Sequence, residues 1–231
     1  MLFGKKREGI ENSITTIIGG TKIDLVTQTK FLGIILDNGL TWKQHITYLS
    51  SKLSKSIGIL SRARKFLDKS TLKQLYHSFL YPYIMYCNVV WGNAPATIIW
   101  PIFKAQKRAI RIIANIRGRD STKLAFHKLG ILRLPEVYKF STLLFVYKFK
   151  NGLLPTTFTT FYTTNNEFHN YHTRHAKQLR PPIAKSKIAS SFIKKSGVDI
   201  WNGFPSKLTH DMKIGLFKKL ITSQLLSQYI D

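Results

Sequence analysis

The sequence predicts an α+β fold, mainly α: a small N-terminal β-hairpin plus strand, then a three-helix bundle and further C-terminal helices. Three observations carry this. Short β-branched runs flank a glycine pair near the start of the chain, apolar residues recur at helical spacing from Thr41 onward, and proline or glycine punctuates the helical stretches. At 231 residues the chain suits one domain or two small ones and is long enough to bury most of its apolar surface. No internal repeat is present.

Ile14 to Ile18 and Thr21 to Val26 read as two strands joined at Gly19-Gly20, a two-residue turn. Phe31 to Asp37, FLGIILD, reads as a third strand, nearly continuous in apolar residues and so expected to be covered on both faces, with Gly33 allowing close backbone approach. Thr41 and Gln44 have capping-box spacing. From there Ile46, Leu49, Leu53, Ile57, Leu60 and Leu67 mark one face of a helix. A second helix begins near Asp68 or Ser70, runs through Leu72, Tyr76, Phe79 and Leu80, and is expected to kink or restart at Pro82. The third spans Thr97 to Gly118, with Ile102, Ala109, Ile110, Ile113 and Ile116 inward and Gly118 as its stop. Short connections make these three an antiparallel bundle. Ser121 to Leu129 and Pro135 to Lys150 follow as helices, the second ended by Gly152. Beyond Pro155 the chain is rich in Thr, Asn, His and Tyr without periodicity, which predicts an extended connection, and helical spacing returns over 192–204 and 217–229.

Lys and Arg total 36 against 11 Asp and Glu, a formal net charge of +25 and a pI of about 10.2. Such a surplus attracts polyanions, so nucleic acid is the leading partner, an anionic membrane surface the second and acidic small substrates the third. The surplus is uneven: no acid lies between Asp68 and Asp120, and none from Phe168 to Val198. Cys87 is the only cysteine, which excludes an internal disulfide and a cysteine-based zinc site and suits a reducing compartment. The most apolar stretch, Phe79 to Trp91, is too short to span a bilayer, and the N-terminus lacks the pattern of a secretory signal. These features predict an intracellular protein, nuclear or cytoplasmic, that is neither secreted nor inserted in a membrane.

The candidate binding residues lie opposite the apolar stripes. Lys104, Lys107, Arg108 and Arg111 stand at i, i+3, i+4 and i+7 on the helix of Thr97 to Gly118, and Lys52, Lys55 and Arg62 lie on the far side of the first helix. A row of cations on a rigid rod can meet a row of phosphates; the same spacing also describes a merely solvated helix face. Catalytic residues are not found. Two-metal polymerase or nuclease chemistry needs converging carboxylates, and here the acids are scattered singly. No Gly-X-Ser-X-Gly elbow or phosphate-binding GK[ST] loop occurs. His169, His172 and His175 have ligand-like spacing but no cysteine or paired acid nearby, and a polar surface loop is preferred to a zinc site. No metal or cofactor is therefore assigned. Tyr76, Tyr81, Tyr83, Tyr86 and Trp91 crowd one segment, where helix-core packing is preferred to base stacking.

Taken in order, KFLGIILDNGLTWKQHI (Lys30 to Ile46), LYHSFLYPYIMYCNVVWGN (Leu75 to Asn93) and QKRAIRII (Gln106 to Ile113) resemble the part of a jockey-like non-LTR (LINE-type) retrotransposon reverse transcriptase that follows its catalytic palm. MLFGKK at the start, HNYHTR (His169 to Arg174) and IWNGFP (Ile200 to Pro205) resemble it in the same order. The resemblance implies that 1–38 form the end of the palm, 39–118 a thumb-like three-helix bundle, and 119–231 a C-terminal helical segment with an extended connection over 155–190. It implies that Phe31, Leu32 and Gly33 belong to a primer-grip neighbourhood. It places Lys104, Lys107, Arg108 and Arg111 on a thumb helix that tracks the backbone of an RNA–DNA hybrid by shape and phosphate contact. The stretch from His169 to Pro205, including Arg174, is expected to touch nucleic acid. Asp199 stands where the family often has a basic residue.

The family's fingers and paired-Asp palm motif do not occur in this sequence. The expectation is a truncated reverse transcriptase fragment that keeps template–primer-binding surfaces and does not polymerise DNA by itself. A stand-alone nucleic-acid-binding module and a decayed remnant without selected function are the alternatives.

Overall fold

The computed structural model describes residues 1, 3, 16–168, 175–205 and 212–229. Ile14 and Thr15, and the histidines and arginine of HNYHTR, lie outside them. The predicted class holds: the described chain is mainly helical, with short antiparallel strands confined to its N-terminal part.

Strands β1 (Thr16–Ile18) and β2 (Thr21–Ile23) pair with Ile18 opposite Thr21. Gly19 and Gly20 both take positive φ, 57° and 78°, as a twist-matched two-residue hairpin turn requires. The third predicted strand is different. Phe31 to Asp37 is not one strand covered on both faces but parts of a second hairpin, β3 (Gln28–Phe31) against β4 (Ile34–Asp37), with Phe31 opposite Ile34. Leu32 and Gly33 form the turn at φ 45° and 81°, which leaves Phe31 and Leu32 exposed and Ile34 buried.

Helix α1 (Lys43–Ala63) buries Ile46, Leu49, Leu53, Ile57 and Leu60, whereas Leu67 falls beyond its end and is exposed. The capping box does not form, because Trp42 in the left-handed region, φ 67°, precedes the helix without a side-chain cap. Asp37 organises the entry instead. Its Oδ1 accepts from the Gly39 and Thr41 amides (3.1 and 2.9 Å), and its Oδ2 accepts from the Trp42 amide and the Thr41 hydroxyl (2.9 and 3.2 Å). Helix α2 (Lys69–Phe79) starts at Asp68, whose carboxylate accepts from the Ser70 and Thr71 amides at 3.0 and 3.3 Å. The chain restarts at Pro82 as α3 (Tyr81–Met85) and again as α4 (Asn88–Trp91). Helix α5 (Ala96–Ala114) ends ahead of Gly118, since Asn115 itself takes the left-handed position, φ 52°.

Helices α1 and α5 form the most extensive pair, and α2 packs against both. Helix α6 (Lys123–Leu129) leads into α7 (Leu134–Lys150), which touches α3, α4, α5, α10 (Ile193–Gly203) and α11 (Ile214–Ser227) and is buried on nearly every side. The stretch 155–190, expected as an extended connection, carries a 3₁₀ turn (Thr156–Phe158), α8 (Asn165–Phe168), an isolated bridge between Thr164 and Leu179, and the start of α9 (Lys187–Ser191). It packs back through Tyr162 and Leu179, which join Val146 and Val198 in a second small core. That core needs Gly197, where a Cβ would collide with the Tyr162 hydroxyl.

Two polar groups join the layers. The Gln106 amide, fully buried on α5, donates to the Tyr76 hydroxyl and the Leu132 carbonyl and accepts from the Leu134 amide, each at 2.9 Å. At the start of α7, Arg133 meets Glu136 in a fork at 2.7 and 3.1 Å while its guanidinium lies 4.1 Å above the Tyr229 ring. The Tyr229 hydroxyl donates to Glu136 at 3.3 Å and accepts from the Arg133 amide at 2.9 Å, so the end of α11 is tied to the start of α7.

Candidate nucleic-acid interface

On α5 the buried face consists of Ile102, Gln106, Ala109, Ile110, Ile112 and Ile113, so Lys104 and Arg108, one turn apart, stand on the opposite face and are exposed. The other two cations of the stripe are held by the protein. Lys107 folds over two rings, its Nζ 4.3 Å from the Phe103 centroid and 4.9 Å from that of Trp100. Arg111 is half-buried, donates from Nη2 to the Asp120 carbonyl at 3.2 Å, and keeps a buried Nε without a partner among the described residues. On α1, Lys55 and Arg62 are exposed; Lys52 is half-buried with its Nζ 5.5 Å from the Tyr48 ring, which Lys30 approaches from 5.3 Å. Arg174 lies outside the described residues.

Among the described residues, carboxylates do not pair with these cations. Asp37 and Asp68 are engaged by backbone amides, Glu136 by Arg133 and Tyr229, and Asp199 by Lys195 at 3.2 Å on its own helix. None of Lys55, Arg62, Lys104 and Arg108 forms an ion pair among the described residues. Nor do any three His, Cys, Asp or Glu side chains there lie close enough together to hold a metal ion, and no described helix is long and apolar enough to cross a membrane.

The Phe31-Leu32-Gly33 turn is bound to the bundle by Tyr86, whose hydroxyl donates to the Leu32 carbonyl at 2.6 Å. The backbone conformation, φ 81°, is what calls for glycine at position 33; a Cβ there would meet the Tyr86 ring at 3.4 Å, an ordinary contact rather than the expected close approach. Beside it is a cleft of about 300 Å³ lined by Gly33, His45, Tyr48, Pro82, Tyr83 and Tyr86. His45 is 1% exposed and sits edge-on to Trp91 at 5.7 Å. Its Nδ1 accepts from the Ile35 amide at 3.4 Å, which assigns the proton to Nε2, and Nε2 is buried without a partner among the described residues. Burial lowers its pKa to about 4, so the ring is neutral. The crowded aromatics divide: Tyr76 and Trp91 are core, while Tyr86 and Trp100 are about half exposed. His45, Tyr86 and Gln106 were missed as organising residues. The available signal was that His45 and Gln106, though polar, fall on the inward stripes of their helices.

Over 111 residues, 45% of this chain, the sequence is 30% identical to an RNA-directed DNA polymerase from mobile element jockey of Drosophila funebris. The match spans 12% of that protein's length. No family model matches the chain, and no solved structure does. Part of this chain is therefore distantly similar to a reverse transcriptase of the jockey type.

Proposed function

We propose that this chain is a reverse transcriptase-related segment that grips the backbone of a template–primer duplex and contains no polymerising centre of its own. The observation that carries the reading is the pair Lys104 and Arg108, displayed without acidic partners among the described residues on the solvent face of a helix whose other face is locked in the core. Lys55 and Arg62 add exposed charge from the helix that packs against it. Contacts of this kind neutralise phosphate and read shape rather than sequence. The N-terminal hairpins favour docking on a further protein layer, such as a palm: Ile17, Ile18, Phe31 and Leu32 are each more than half exposed, and two-stranded sheets are marginal alone.

The test is binding of an RNA–DNA hybrid followed by fluorescence anisotropy as salt is raised. Replacing Lys104 and Arg108 together by Gln lowers the affinity and reduces the slope of log affinity against log salt by roughly 1 to 2, the value for two lost phosphate contacts. An unchanged slope means that this face is only solvated. Primer extension with magnesium stays at background; activity that survives rigorous purification overturns the inactive reading.

A further inference from the structure

A cleft of about 530 Å³ in the C-terminal segment, well separated in sequence from the α5 stripe, has the size of a small-ligand site. Its walls include the aromatic rings of Phe161 and Phe168, the rings of Pro181 and Pro182, and two cations, Arg180 and Lys194; among the described residues no carboxylate lines it. Arg180 is placed by the backbone. Its amide donates to the Thr163 carbonyl at 2.8 Å, and the adjoining Leu179 is clamped by the Asn202 side chain, which accepts from the Leu179 amide at 3.2 Å and donates to its carbonyl at 2.7 Å. From that fixed point the guanidinium lies 3.2 Å above the Phe168 ring, and Nη1 is buried with no hydrogen-bond partner among the described residues. Lys194, exposed on the first turn of α10, reaches over Phe161 with its Nζ 5.7 Å from the ring centre. The nearest acid in sequence, Glu167, accepts from the Thr164 hydroxyl at 2.6 Å.

We propose that this cleft is a binding site for single-stranded nucleic acid, taking one unpaired base against its aromatic and proline walls and the adjoining phosphate on Arg180 and Lys194. An orphan guanidinium nitrogen calls for an anionic acceptor, and aromatic faces beside it call for a flat ring attached to that anion. A strand supplies both at nucleotide spacing, and stacking on rings explains why the site carries little hydrogen-bonding equipment for reading sequence. The surroundings suit a polyanion: residues 168–198 contain seven Lys and Arg and no acid. A duplex keeps its bases inside the stack and does not satisfy the aromatic half of the cleft.

The experiment compares a labelled oligo(dT) with a blunt RNA–DNA hybrid on the full chain and three variants, each checked for an unchanged circular dichroism spectrum. Arg180→Gln with Lys194→Gln, and separately Phe168→Leu, weaken oligo(dT) binding about fivefold or more, the lower end of what one stacked base is worth, and leave hybrid affinity within about twofold. Lys104→Gln with Arg108→Gln shows the reverse selectivity, so failure of this site and failure of the α5 surface are read separately. Loss of both ligands in parallel in the Arg180 variant would reveal diffuse charge attraction and overturn the proposal, as would an oligo(dT) affinity untouched by Phe168→Leu.

Discussion

The Tyr86 hydroxyl donates a 2.6 Å hydrogen bond to the carbonyl of Leu32, so a residue between two short helices of the bundle holds the tip of a hairpin 54 positions earlier. The turn it holds contains Leu32 at φ 45°, a conformation uncommon for a leucine, and leaves the side chains of Phe31 and Leu32 facing solvent. The hydroxyl thereby fixes where two exposed apolar groups are presented. Tyr86→Phe removes the bond and loosens the hairpin tip. Hydrogen exchange at the amides of 28–37 accelerates while exchange in α1 and α5 stays the same; uniform acceleration would show that the hydroxyl serves the whole fold.

Gln106 governs global stability. Replacing it by Leu keeps the volume but strips partners from the Leu134 amide, the Leu132 carbonyl and the Tyr76 hydroxyl. With about 1–3 kcal/mol for each buried group left unpaired, the loss is on the order of 3 kcal/mol or more, measured by urea denaturation. Lys104→Gln, on the exposed face of the same helix, changes stability by less than about 0.5 kcal/mol. Similar losses for the two variants would contradict the assigned faces.

His45 gives the protein an acid weakness. Its folded pKa of about 4 lies below the ordinary 6.5, so the unfolded chain binds a proton in this window and the folded chain does not. Stability contributed by the neutral ring is full above pH 6.5 and falls as pH drops toward 4, at a limiting slope of about 1.4 kcal/mol per pH unit. His45→Gln flattens the melting temperature between pH 6.5 and 4.5. A profile identical to that of the parent would assign the acid sensitivity elsewhere.

Helix α1 was legible in the sequence because it has a one-sided core: Ile46, Leu49, Leu53, Ile57 and Leu60 repeat at the spacing that burial imposes, and all are buried. The turn at Leu32-Gly33 was not legible, since FLGIILD carries as much apolar character through the bend as through a strand. Asp37 and Asn115 were missed for another reason. Their roles come from backbone amides and a left-handed φ that the chain creates only after folding locally. Tyr162 and Leu179 show no period because each meets its core as a single residue from an irregular segment. Of the cationic stripe, spacing identified the four members but not that Lys107 would settle on two rings and Arg111 on a carbonyl, which leaves Lys104 and Arg108 displayed.

The lock between Glu136 and Tyr229 also constrains biosynthesis. The partners are 93 residues apart, so at about 5–20 residues per second Glu136 emerges on the order of 5–20 s before the hydroxyl that completes its surroundings. Through that interval Arg133 accompanies a carboxylate destined for the interior, and the surface meant for α11 stays open to solvent. A ribosome that stalls between these two residues therefore releases a chain whose bundle helices are all made but whose closing element is missing.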